Sequence, residues 1–491
     1  MRRRFSGLVL ALTAASLAFV AGAGARVVIR AARGEVIAAR PVLSQAEEDD
    51  AIGTPSPSEI GSSRDVREGA VLLRSAYLKV KENYYKTIAS DTPQAIGAVR
   101  NMIAHLDDPY SNVYSPDEAR EMAANRRGIF HGIGAILSRD YANPDAAKPA
   151  AETDGAASDQ HVTGDFVLKV VSPTRGGPSD LAGLRPGDVI VSFAVNGEQE
   201  KEVKSLAGFY GLLPGDLYDE AQKQRIVDPA VLKAVFKRQD IDLTKYAAID
   251  EAWSALTSPG TRTVKLKVAR DGKEDTVELD IECKETVVDP LSFEMADHKT
   301  ATMAIAYFAD GVGARFEHAL QSAREQGADK VVIDLRRCPG GSMAEGERIL
   351  GDLLGAASIA RIESSTGEQT AIKTKTEQAK PPLGYNVLVD EGTAGVAEIV
   401  AGALRDVGRA RLFGERTCGD AYVRTPYKLA PSDDDGGYMV ELVTGKLLTP
   451  RGQDYAQVGL KPDEIVVQRA GPDSEDLVLR RALEHLTRSG G

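Results

Sequence analysis

The chain has 491 residues, 43% hydrophobic and 27% charged, with a net charge of −12 at pH 7. That length holds two or three cored domains, and the composition is that of a soluble globular protein. The acidity excludes nucleic acid as the main partner, because phosphate binding needs a basic face. Three cysteines exclude a disulfide scaffold, and six scattered histidines without CxxC or HExxH give no metal site. No cofactor is expected.

The N-terminus, "MRRRFSGLVLALTAASLAFVAGAGA", has a basic start, an apolar run and small residues at Ala21, Ala23 and Ala25. That is the layout of an export signal over 1–25, to be cleaved or kept as a membrane anchor. Either way the folded part is expected outside the cytoplasm, in the periplasm or on the outer face of the cytoplasmic membrane. Residues 26–68 are polar and broken, a flexible tether. The span 69–127 reads as helical, with "AVLLRSAYLKVKENYY" and "TPQAIGAVRNMIAHL" in helical period. His105 lies on the second of these and reads as a packing histidine. Ser115 is placed to cap a third helix whose first turn is Pro116, Asp117 and Glu118.

Residues 128–286 are β-rich. "HGIGAIL" and "DFVLKVVSP" read as strands, "SDLAGLRPGDVIVSFAVNG" as helix, turn and strand, and "TVKLKVARDGKEDTVELDI" as a hairpin. Two insertions interrupt this region, at about 141–164 and 198–245. From 287 to 491 the pattern is α/β. "KVVIDLRR" and "GYNVLVDEG" are continuous apolar runs suited to strands covered on both faces. "GTAGVAEIVAGALRD" follows as a helix of small residues, with Val396, Ile399, Val400, Ala403 and Leu404 on one face.

These blocks, in the order "DPYSNVYSPDE", "HGIGAIL", "VVIDLRRCPGG", "GTAGVAEIVAGALRDVGRARLFGERTCGD" and "LLTPRGQDYAQVGLKPDEIVV", resemble the carboxyl-terminal processing, or tail-specific, serine proteases. The resemblance implies a mixed α/β multidomain chain. A helical N-terminal segment precedes a PDZ domain carrying the two insertions, and a crotonase-like peptidase core follows.

It also implies a serine–lysine dyad, in which a desolvated lysine takes the serine proton and a glutamine orients the lysine. Glu398 fixes the register without a gap. The serine position is then Gly395, the lysine position Asp420 and the glutamine position Arg424. None of the three can do the family's chemistry, so the resemblance points to a pseudoprotease. The alternative is an active serine- or cysteine-type peptidase with a displaced site. Thr393 is the nearest hydroxyl to the lost serine, Ser342 reads as a helix cap, and Cys338 and Cys418 flank the family's cleft. The two cysteines are open to three readings: buried thiols, a disulfide with each other, or chemistry. Cys283 is expected to stay unpaired.

Binding depends less on the missing side chains. By the resemblance, the amides of Gly340 and Val396 correspond to an oxyanion hole. The loop Gly132, Ile133, Gly134 and Ala135 corresponds to a PDZ carboxylate loop, where a C-terminal tail adds a strand. Ile249, Trp253 and Leu256 share one helix face and are expected to line that groove, the alternative being the domain's own core. The partners implied are C-terminal tails of envelope proteins, or an active protease that this chain regulates.

Overall fold

The computed structural model describes residues 64–83, 92–106, 108–142, 166–205, 208–209, 212, 236, 241–270, 275–375, 384–407, 410–429, 437–468 and 475–488. The expected export signal, the tether up to residue 63 and most of both insertions lie outside the described residues. Two units divide the chain, Met1–Asp91 and Thr92–Gly491. The first contains helix α1 (Arg64–Asn83). Among the described residues, no helix is long and apolar enough to cross a membrane.

The second unit opens with α2 (Thr92–Ala104), β1 (Asn112–Tyr114) and α3 (Pro116–Arg126). His105 is exposed rather than packed, its Nδ1 2.7 Å from the Asn101 carbonyl. The start of α3 is a reciprocal cap. Ser115 Oγ accepts from the Glu118 N–H at 3.3 Å, and the Glu118 carboxylate accepts from the Ser115 N–H at 2.7 Å. A two-residue strand, β2 (Ile129–Phe130), follows.

A seven-stranded sheet comes next. Its members are β3 (Ala135–Tyr141), β4 (Phe166–Pro173), β5 (Val189–Val195), β6 (Lys201–Lys204), β7 (Tyr246–Ala248), β8 (Arg262–Ala269) and β9 (Thr276–Cys283). The order is β3-β4-β5-β6-β7, with β8 also on β5 and β9 on β8. Helix α4 (Pro178–Leu181) follows β4, and α5 (Ile249–Thr257) follows β7. Helix α5 closes one side of the sheet's core, where Leu168, Val170, Phe193 and Leu266 are buried. β10 (Thr286–Val287) then pairs with β2.

The rest is built on a six-stranded sheet in the order β11-β12-β13-β16-β17-β20. The chain runs through β11 (Leu291–Met295), β12 (Thr300–Ile305), α6 (Val312–Glu325), β13 (Lys330–Asp334), α7 (Met343–Leu354), β14 (Ser358–Glu363) and β15 (Gln369–Lys373). It continues through β16 (Gly384–Val389), α8 (Val396–Asp406), β17 (Ala410–Gly414), β18 (Tyr422–Lys428), β19 (Met439–Leu448), β20 (Glu464–Ile465) and α9 (Leu477–Arg488). From β12 onward the strands of this sheet are parallel.

Strand alternation splits the apolar runs between two faces. Val331, Ile333 and Val387 join the core under α6, α7 and α8, while Val332, Leu388 and Phe413 meet α9 through Val478, Ala482 and Leu486. Cover on both faces explains why these runs lack polar alternation. A second sheet, β1-β19-β14-β15 with β18 on β19, carries the chain's early strand β1 beside its late strands. Tyr110 and Asp420 are thereby brought to one place.

Candidate functional site

Strand β16 ends in a loop that turns at Gly395 into α8. Gly395 has φ +55° and ψ −117°, a conformation natural to glycine and strained for any residue with a Cβ. Helix α8 can lie deep because its residues are small. A Cβ on Gly346 of α7 would already stand 2.4 Å from Val396 Cγ1, so the two helices touch closely.

A Cβ added at Gly395 would stand 3.6 Å from Asp420 Oδ2 and 4.0 Å from the Pro339 carbonyl, in otherwise open space. The two positions singled out as serine and lysine therefore face one another. Arg424 Nη2 donates to Asp420 Oδ1, so all three positions meet in one cluster. Burial works against the Arg424 charge, but Asp420 outweighs it and holds the guanidinium above its ordinary value. What stands opposite Gly395 is an ion pair, with no neutral amine.

Glu398, in the first turn of α8, ties this cluster together. Its carboxylate is fully buried and accepts from the Gly395 N–H at 3.1 Å, the Gly419 N–H at 2.7 Å, the Asp420 N–H at 2.8 Å and the Thr417 hydroxyl. Burial pushes the carboxyl up to about 8, against the pull of these donors. In the sequence Glu398 served only as a register mark. Its clamp on residues 417–420 was missed, since those donors lie about twenty residues downstream.

Tyr110 was missed as well. Its ring stacks on Tyr422 at 4.6 Å, lies 5.7 Å from the Arg424 guanidinium, and its hydroxyl donates to Asp140 Oδ1 at 3.2 Å. It therefore covers the Asp420–Arg424 pair and links it to β3. Tyr114 Oη donates to Glu441 at 3.2 Å just beyond. The "DPYSNVY" block offered the only signal.

Among the substitute nucleophiles, Thr393 is committed elsewhere. Thr393 Oγ1 donates to the Leu335 carbonyl at 2.8 Å and accepts from the Asp390 N–H at 3.0 Å. Ser342 precedes α7 without a side-chain cap bond, its N–H donating to the Phe308 carbonyl at 2.8 Å. All three cysteines are free thiols. The Cys338 thiol is pushed up to about 12 by burial, and Cys418 is raised by burial with Glu398 and Asp420 adding to it. A neutral buried thiol is a poor nucleophile.

The disulfide considered between Cys338 and Cys418 is not formed, and the backbone shows why. The Thr393–Ala394 peptide donates its N–H to the Cys338 carbonyl at 3.0 Å and accepts from the Cys418 N–H at 3.0 Å. The N–H and C=O of a trans peptide point opposite ways, so the cysteines flank it on two sides. Two strand spacings separate their backbones by roughly 10 Å, beyond the ~7 Å that a disulfide spans.

The Gly340 turn lies against the start of α8: a Cβ on Gly340 would stand 3.0 Å from the Ala394 carbonyl and 3.2 Å from Val396 N. The Val396 N–H is in the first helical turn, where no intrahelical acceptor exists. The two amides expected as a pair are thus adjacent.

The loop 132–135 is closer packed than its sequence suggests. The Ile133 N–H donates to the Leu256 carbonyl at 2.8 Å, and the Gly134 N–H reaches the His131 carbonyl at 3.4 Å. A Cβ on Gly132 would fall 2.0 Å from the Leu256 oxygen, so only glycine allows this contact. The α5 residues Ile249 and Leu256, at 7% and 0% exposure, belong to the core of the sheet, and Trp253 packs part-buried against the same cluster. The expectation that Ile249 and Leu256 line an open groove is corrected here. A helical stripe shows that a face is buried but not by what.

Residues 299–466 match the family model described as Peptidase family S41. The chain is 27% identical over 393 residues to the carboxy-terminal processing protease CtpA of Bacillus subtilis, covering 79% of this chain and 67% of that one. It is 29% identical over 417 residues to the carboxyl-terminal-processing protease of Picosynechococcus, covering 83% of each. The chain is thus similar to carboxyl-terminal processing proteases, and its residues 299–466 to Peptidase family S41. A solved photosystem II D1 C-terminal processing protease shares the fold, with a TM-score of 0.55 and 23% identity over 84% of this chain and 90% of that one.

Proposed function

We propose that this S41 chain is an exported, catalytically inert relative of the processing proteases, acting as adaptor, scaffold or regulator by binding C-terminal peptide tails. One observation carries the loss of chemistry: the side chain opposite Gly395 is Asp420, ion-paired with Arg424. No hydroxyl is available at Gly395, and a carboxylate beside a developing oxyanion would oppose it. The bonded Thr393 and the raised Cys338 and Cys418 count against a displaced nucleophile. Export rests on the basic and apolar start of the sequence.

Tail binding is assigned to the seven-stranded sheet and α5, read as a PDZ-type module. β3 ends its sheet, and among the described residues only β4 pairs with it. A tail could add along that edge with its carboxylate at the amides of Ile133, Gly134 and Ala135. Ile133 would exchange the Leu256 carbonyl for the ligand, a swap of acceptors rather than the loss of a bond.

The test is turnover of an unstructured tail-tagged substrate by purified protein. Hydrolysis no faster than in buffer is expected. Turnover that survives in Thr393→Ala and in both Cys→Ala variants would defeat the inert reading.

A further inference from the structure

An ion pair bridges the space between β3 and α5. Arg139 lies on β3, on the same face as Leu137 by strand alternation. Its Nη2 donates to Asp250 Oδ1 in the first turn of α5 and to Asn112 Oδ1 at 3.3 Å. The two partners are unequally placed, for the Arg139 side chain is 18% exposed and that of Asp250 68%. A guanidinium so covered has lost most of its water and needs an acceptor. Asp250 needs Arg139 far less, being solvated and favoured by its place at a helix N-terminus. It is a replaceable counter-ion.

We propose that Arg139 reads an acidic side chain in the bound tail, with Asp250 the counter-ion that this side chain displaces. This rests on the tail-binding reading given above. A tail laid antiparallel on β3, its carboxylate at residues 133–135, runs toward Tyr141 and passes Arg139 about four residues before its own C-terminus. The alternating period turns that residue and the last one toward α5. The occupant is thus a peptide end carrying Asp or Glu about four positions upstream. A neutral tail leaves Arg139 on Asp250 and gains nothing there, and a basic one meets a like charge.

Trp253 on α5 is the only tryptophan, so its emission reports on this wall. The full chain is titrated with two ten-residue peptides that differ only in Glu or Gln at that upstream position, each as free acid and as amide. The Glu free acid is expected to bind at least about fivefold tighter than the Gln one at low salt. Arg139→Gln should erase that ratio, while Asp250→Asn should widen it by freeing the guanidinium. Asp250→Asn alters an exposed position, so it tests the idea even where the Arg139 variant folds poorly. If both tails bind as free acids with equal affinity, or if the ratio survives Arg139→Gln, the assignment of Arg139 falls and the groove reading stands. If no free acid binds, or amides bind as well, the groove reading fails and takes this one with it.

Discussion

Asp420 and Arg424 form one ion pair, and the Tyr110 ring lies over it 5.7 Å from the guanidinium. Their side chains are 21% and 30% exposed, so each depends on the other for much of its solvation. Asp420→Ala or Arg424→Ala alone should therefore cost about 2–4 kcal/mol, because a charge is left without its partner. Replacing both by Ala should cost less than the sum of the single changes. Denaturant unfolding of the four proteins gives the coupling directly, and additive losses would contradict it.

Glu398 faces three backbone N–H groups, which cannot reverse, and the Thr417 hydroxyl, which can. Glu398→Gln puts an NH₂ against at least one of those backbone donors in either amide orientation. A loss of about 2–4 kcal/mol is expected from unfolding curves at neutral pH. A change under about half a kcal/mol would mean that the clamp is not formed.

The same residue sets a pH dependence. Its carboxyl rises from 4.5 to about 8 on folding, so between those values the folded chain keeps a proton that the unfolded chain releases. Its contribution is fully favourable below about pH 4.5, declines as pH rises, and levels off above about 8, with a slope of at most about 1.4 kcal/mol per unit. Glutamine does not titrate. The stability difference between wild type and Glu398→Gln should shrink steadily from pH 5 to 8, and a constant difference would show that the carboxyl is ionised throughout.

Cys338, Cys418 and Cys283 should all remain thiols in an oxidising buffer. Peptide mapping without reduction is expected to show no Cys338–Cys418 cross-link. Alkylation in the folded state should be slow, because Cys338 and Cys283 are fully buried and their thiols are raised by burial. Denaturant should release all three together.

Tyr110→Ala removes a ring held by Tyr422, Arg424 and Asp140. A loss of about 2–4 kcal/mol is expected from unfolding curves. A loss under about half a kcal/mol would mean that the ring is not held in this way.

Much of the core was legible in the sequence because its signals are local. "KVVID" and "YNVLV" announced strands covered on both faces, and Ser115 and Glu118 announced a cap; the pairing of Gly395 with Asp420 came from the family resemblance, registered on Glu398. What could not be read depends on partners far apart in the chain. Nothing near Ile133 tells that its amide meets the Leu256 carbonyl, nor near Arg139 that Asp250 is 111 residues away. The stripe Ile249, Trp253 and Leu256 was correctly apolar, but a sheet of the same module can cover such a stripe as well as a ligand can. The cysteines looked close because they flank one loop, and they lie on its two sides.

The conformation at Gly395 bears on how such a site could change over time. A serine there would hold φ near +55° at a cost of about 1–3 kcal/mol, which glycine avoids. A lysine at 420 would leave Arg424 without its carboxylate and set two cations side by side. Each single step toward a serine–lysine dyad is therefore uphill by itself, and no one step alone supplies both groups. Two favourable local choices, a glycine at a left-handed turn and a carboxylate on a guanidinium, thus lock each other in, and a change at one is offset only by a change at the other.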